Sequence, residues 1–118
     1  MNANKTAHHL SEPVTRTLQG LADRLRVARR RRRWTQQKMA TLMGVGLNTY
    51  RRLEQGRPEV AVGIWLRIFE VLGMLREIDE LLLYDHDRIG AAMQRHHQDE
   101  KRDRRKGIPS LEELAERL

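Results

Sequence analysis

The stretch WTQQKMATLMGVGLNTYRRLEQG, residues 34–56, decides the fold. Met39, Ala40 and Met43 recur at the spacing of one helical face, and so do Tyr50 and Leu53. Between the two patterns lies Gly44–Val45–Gly46. Gly44 stands just past the first pattern, where helices end in left-handed backbone that glycine adopts without steric cost. Thr35 is placed to cap the first helix, although Lys38 occupies the position at which a full capping box has Glu. The second helix runs from about Leu47 to Gln55; Gly56 closes it and Pro58 follows. Two helices crossing this steeply need a small residue where they nearly touch, and Ala40 is there.

Toward the N-terminus, Leu18, Leu21, Leu25 and Ala28 make an apolar stripe that predicts a first helix. Arg29–Arg33 extend it with no Gly or Pro to stop it. Five consecutive helical residues span about 500° of arc, so the arginines cannot share one direction. Arg29 and Arg33 fall on one face, Arg30 and Arg31 point elsewhere, and Arg32 continues the apolar phase, its charge snorkelling at the core edge. Residues 1–16 are polar, aperiodic and broken by Pro13, and read as a disordered arm.

Toward the C-terminus, Ile64, Ile68 and Leu72, flanked by Trp65 and Phe69, predict a helix over about Val60–Leu72 that stops at Gly73. Leu75, Ile78 and Leu82 predict a fifth over Leu75–Leu83, with Glu77, Asp79 and Glu80 on its acidic face. From residue 85 the chain is charged and weakly periodic, and residues 85–107 have the composition of a segment disordered until bound. A short last helix starts at Pro109–Ser110, where Ser110 and Glu113 make a capping box and Leu111, Leu114 and Leu118 line one side. No segment reads as a strand. The expected organisation is all-α: an arm (1–16), a five-helix domain (17–84), and a charged tail with a short helix (85–118).

Charge is unevenly divided. Residues 1–60 carry 13 Lys and Arg against 4 Asp and Glu, and residues 61–118 carry 10 against 12. A basic half beside a near-neutral half points to a polyanion-facing surface joined to a packing or partner surface. The absence of cysteine excludes disulfides and thiolate metal sites and suits a reducing cytoplasm. No apolar run approaches the roughly 20 residues of a membrane span, and MNANKTAHHLSEPVT does not read as a signal peptide.

The segments LADRLRVAR, WTQQKMATLMGVG, LNTYRRLEQG and VGIWLRIFEVLG, within Leu21–Leu83, resemble the lambda-repressor-like, XRE-type helix-turn-helix family. LEQGRPEV, LRIFEVLGM and the basic tail further resemble the branch encoded beside HipA-type kinase toxins. The chain departs from the family at Gly46, where Ser or Thr usually caps the recognition helix, and at Leu42, usually a polar position.

The resemblance implies a sequence-specific DNA-binding regulator, a dimeric repressor by family habit, whose third helix enters the major groove. Carried onto this sequence, the base readers are Leu47, Asn48, Arg51 and Arg52. Asn48 suits adenine, Arg52 guanine, and Leu47 a thymine methyl; Arg51 suits a base or a phosphate equally. Phosphate contacts fall to Gln36, at a helix N-terminus, and to Thr49, Arg57, Arg31 and Arg33. Arg29 and Glu54 occupy the positions of an ion pair locking the first helix to the third. The implied partners are double-stranded DNA, a second copy of the chain and, in the narrower branch, a HipA-like kinase, all in the cytoplasm. A protein-bridging module of the same fold is the alternative.

Nothing points to an enzyme. His8–His9, His86 and His96–His97 lie in polar segments without ligand spacing, so no metal is expected. Ser11 and Ser110 sit in a tail and at a cap, suggesting no nucleophile triad, and the glycines form no phosphate loop. No cofactor is expected.

Overall fold

Ser11 opens the first helix. Its hydroxyl accepts from Val14 N at 3.4 Å, Pro13 lies in the first turn, and Arg16 pairs with Glu12 at 2.9 Å. Helix α1 therefore spans Glu12–Arg31 in the computed structural model, which describes residues 9–107 and 109–117. This corrects the expected arm, since residues 12–16 are helical. Pro13 is no breaker in the first turn, where a missing N–H costs nothing. Residues 1–8 of that arm, with His8, lie outside the described residues, as does Leu118 of the last apolar side.

The arginine run is helical only in part. Arg31 is the last residue of α1, Arg32 caps it, and Arg33 is left-handed at φ 56°. Arg33 N donates to Arg30 O at 2.9 Å and Trp34 N to Arg29 O at 3.3 Å, the paired bonds of a Schellman end. Arg33 therefore does not share a helical face with Arg29. A turn is imposed without a glycine to mark it.

Helix α2 spans Gln36–Met43, with the Thr35 hydroxyl accepting from Lys38 N at 3.0 Å. Gly44, at φ 70°, ends it, and Val45 N donates back to Ala40 O at 3.0 Å. Helix α3, Leu47–Glu54, follows. Helix α4 covers Val62–Leu72 and ends at Gly73. Leu25, Met39, Ala40, Met43, Tyr50, Leu53, Trp65, Ile68 and Leu72 form one core shared by these four helices. Met39, Tyr50, Leu53 and Ile68 are its largest fully buried side chains; burying Met39, Leu53 and Ile68 contributes about 1.5–3 kcal/mol each. Arg32 lies at the core edge as its phase demands. Its guanidinium donates to Ala28 O at 2.9 Å and to Leu72 O at 3.0 Å, and lies 5.8 Å from the Trp34 ring centre. It thus ties the end of α1 to the end of α4.

The fifth helix is shorter than the periodicity predicts. Helix α5 spans Leu75–Asp79 and buries no residue. Leu82, expected on its inner face, is left-handed and 93% exposed. The repeat Leu75–Ile78–Leu82 is present, but the backbone leaves the helix before Leu82 can use it.

The chain divides into two compact units, 1–78 and 79–118. The second holds a 3₁₀ turn at Tyr84–His86, α6 over Arg88–Arg105 and α7 over Leu111–Glu116. Residues 88–105 are thus helical where composition predicted disorder. Helix α6 buries nothing; local bonds hold it. Asp87 caps it by accepting from Gly90 N at 2.9 Å, Tyr84 Oη donates to Gln94 Oε1 at 2.6 Å, and His96 meets Glu100 at 2.9 Å. Helix α7 has the full Ser110–Glu113 capping box. Seven α-helices and no strand occur among the described residues. No helix among them is long and apolar enough to cross a membrane.

Candidate nucleic-acid interface

Helix α3 is divided by burial. Tyr50, Leu53 and Glu54 face inward, and Asn48, Arg51 and Arg52 are exposed. At about 100° per residue, Asn48 and Arg52 lie nearest the direction opposite the buried face, and Arg51 lies on its flank. Leu47 and Thr49 are half-buried at the two edges. The helix therefore presents one amide and two guanidiniums outward and is held from behind.

What holds it is a buried polar network. Glu54 accepts from Arg29 Nε at 2.6 Å and from Arg29 Nη2 at 3.1 Å, a two-pronged pair between α3 and α1. Tyr50 Oη donates to the same carboxylate, and Gln36 Nε2 donates to it at 3.1 Å from the start of α2. Arg29 Nη1 also reaches Trp34 O at 2.9 Å. Three helices thus converge on one carboxylate, and Arg29 ties the turn after α1 to it.

The network fixes its own protonation. Burial alone would push Glu54 up, but hydrogen bonds from Arg29, Tyr50 and Gln36 outweigh it and hold the carboxyl below its ordinary value. Burial, then the adjoining Glu54, pushes the Tyr50 phenol up. The hydrogen bond to Glu54 raises Arg29 further above its usual value, against the opposing effect of burial. At neutral pH the group is carboxylate, phenol and guanidinium.

The other residues assigned to phosphate differ in exposure and in pairing. Arg31 and Arg33 are exposed and make no ion pair with any described residue. Arg57 is exposed but pairs with Glu59 at 2.8 Å, so its charge is partly offset. Gln36 is half-buried, and one of its two amide N–H groups serves Glu54. Gly46 caps α3 without a side-chain bond, and the space where its Cβ would lie is open. Leu42 is exposed.

A family model for the helix-turn-helix domain matches residues 21–81, which takes in the second half of α1, α2–α4 with the turn, and all of α5. The chain belongs to the helix-turn-helix domain family. The match covers more than half of the sequence, and no curated protein and no solved structure matches the chain. In this helix-turn-helix domain α2 and α3 flank the turn, and domains of this class bind DNA through the second helix of the pair.

Two residues of the site escaped the sequence. Arg26 Nη2 donates to Glu54 O at 2.9 Å, and Gln19 Nε2 donates to Gln55 O at 2.9 Å. Together with Ala22, which is fully buried, and Arg29, they form a second stripe on α1 at helical spacing. Its polar members hide it from a search for apolar periodicity.

Proposed function

We propose that the protein is a sequence-specific DNA-binding transcriptional regulator, acting as a dimeric repressor. The observation that carries the reading is the division of α3: Asn48 and Arg52 face solvent while Tyr50, Leu53 and Glu54 anchor the helix from within. Asn48 suits the adenine edge and Arg52 the guanine edge; Leu47 lies at the rim for a thymine methyl. Arg51 flanks the groove. Gln36, Thr49, Arg57, Arg31 and Arg33 supply phosphate contacts, Arg31 and Arg33 with charges that pair with no described residue. One recognition helix reads only a few base pairs, so two copies on paired half-sites give useful selectivity. The exposed apolar residues Leu81, Leu83, Tyr84, Ile89 and Met93 of the second unit provide surface for association.

Gel shift against the DNA upstream of its own gene tests the reading. Retention that resists random competitor, falls steeply with salt, and weakens by about 1–3 kcal/mol on Arg52→Ala is the expected result. Equal retention of every duplex would overturn it in favour of a bridging module. An antitoxin role beside a HipA-type kinase is the narrower form; co-purification with the product of an adjacent gene checks it.

A further inference from the structure

The last carbonyls of a helix lack intrahelical donors and carry partial negative charge. At the end of α3 two of them, Glu54 O and the carbonyl of the C-cap Gln55, are taken by side chains of α1. Arg26 donates to the first and Gln19 to the second, each at 2.9 Å. Arg26 Nε also lies 3.8 Å from the Glu54 carboxylate, adding attraction at the same point. The donors are spaced along α1, with buried Ala22 between them letting the helices approach.

Gly56 makes room for the outer contact. It is buried, its φ is 68°, and a Cβ there would lie 2.5 Å from Gln19 Nε2 and 2.8 Å from Gln19 Cδ. Left-handed backbone alone would favour glycine; a Cβ here would in addition displace the Gln19 amide from its bond. Gly56 is therefore what allows Gln19 to reach the end of α3.

Resting on the reading of α3 as the DNA-contacting helix, we propose that Gln19 and Arg26, with Gly56 as their seat, are positioning residues that aim the recognition helix. The opposite end of α3 has no side-chain cap at Gly46. Buried Tyr50 and Leu53 hold the inner face of the helix, and the side-chain bonds from α1 that fix its tilt on that face lie at its C-terminal end. Eight residues span about 12 Å, so a tilt of about 10° at the clamp displaces the first turn by about 2 Å. That exceeds the few tenths of an ångström a base-edge hydrogen bond tolerates.

The prediction separates aim from folding. A partly unfolded variant loses affinity for all duplexes by the same factor, whereas a misaimed helix loses only the specific contacts. The full-length protein is used to select a duplex from a random pool. Affinities for that duplex and a scrambled one are then measured for wild type, Gln19→Met, the Gln19→Met/Arg26→Met double variant, and, as a charge-loss control, a variant of the exposed α1 residue Arg24, Arg24→Met. The expected result is a selected-to-scrambled ratio reduced at least about tenfold in the double variant, with scrambled-duplex affinity no lower than in Arg24→Met. Gln19→Met, which changes no charge, lowers the ratio in the same direction and carries the test if the double variant fails to fold. A wild-type ratio preserved in Gln19→Met and in any folded double variant, or parallel loss for both duplexes, overturns the clamp alone. A wild-type ratio near one overturns the reading of α3, and the clamp with it.

Discussion

Arg29 and Glu54 lie 25 positions apart and meet through two hydrogen bonds in the interior, with the Tyr50 hydroxyl on the same carboxylate. The arrangement makes each partner dependent on the others. Removing Glu54 leaves a buried guanidinium and a buried phenol without their acceptor.

Glu54→Ala is expected to destabilise the domain by about 3–5 kcal/mol at pH 7, because a buried charge is stranded. Denaturant unfolding followed by circular dichroism measures it. The pH dependence has a definite sign. Glu54 is below its ordinary value of 4.5 in the folded state, so its contribution is complete above that value and is lost as pH falls through the lower folded one. Tyr50 is raised above its ordinary 10.0, so its contribution is complete below that value and is lost as pH rises through the folded one. The wild-type advantage over Glu54→Ala should therefore shrink at both acid and alkaline extremes.

Arg33 is a non-glycine residue in left-handed backbone, a conformation that costs roughly 1 kcal/mol for most side chains. Arg33→Gly should raise stability by about that amount. It should also weaken binding to any duplex and reduce the salt slope by about one unit, since a surface cation paired with no described residue is removed. Thermal melts and a salt titration of DNA binding read the two effects separately. Higher stability with unchanged salt dependence would show that Arg33 is structural punctuation and does not touch phosphate.

Gly46 gives the converse case. It caps α3 at φ −71° and ψ 154°, values any residue adopts, with open space around its Cβ position. Gly46→Ser adds an oxygen that can accept from the first turn and restricts the unfolded chain. The two effects together should stabilise by roughly 0.5–1 kcal/mol. A thermal melt that moves down would show that the cap position is already constrained by contacts glycine alone allows.

Why some of this was legible and some was not follows from particular residues. Met39, Ala40, Met43, Gly44, Tyr50 and Leu53 reveal α2, the turn and the anchored side of α3, because each meets a local steric demand at a fixed offset. Arg26 and Gln19 have polar side chains whose targets are backbone carbonyls far along the chain, and no periodicity marks them. Pro13 reads as a breaker unless Ser11 and Glu12 are recognised as a helix start. Leu82 shows the reverse error: its spacing is helical, but no packing surface receives it. Helix α6 has no apolar stripe, so its local pairs, such as His96 with Glu100, are its only signature.

The final prediction contrasts two exposed residues, one on each kind of DNA contact. Asn48 lies opposite the buried face of α3 and bears an amide suited to one base; Arg31 lies at the end of α1 and bears a charge suited to any phosphate. Neither side chain supports the core, so both alanine variants should melt within about 0.5 kcal/mol of wild type. Asn48→Ala should lose about 1–3 kcal/mol on a selected duplex and almost nothing on a scrambled one, with the salt slope unchanged. Arg31→Ala should weaken both duplexes alike and lower the slope by about one unit. Competition binding at several salt concentrations distinguishes the two patterns. Asn48→Ala acting equally on both duplexes would remove the base-reading role from the first turn of α3, because phosphate contacts are blind to sequence.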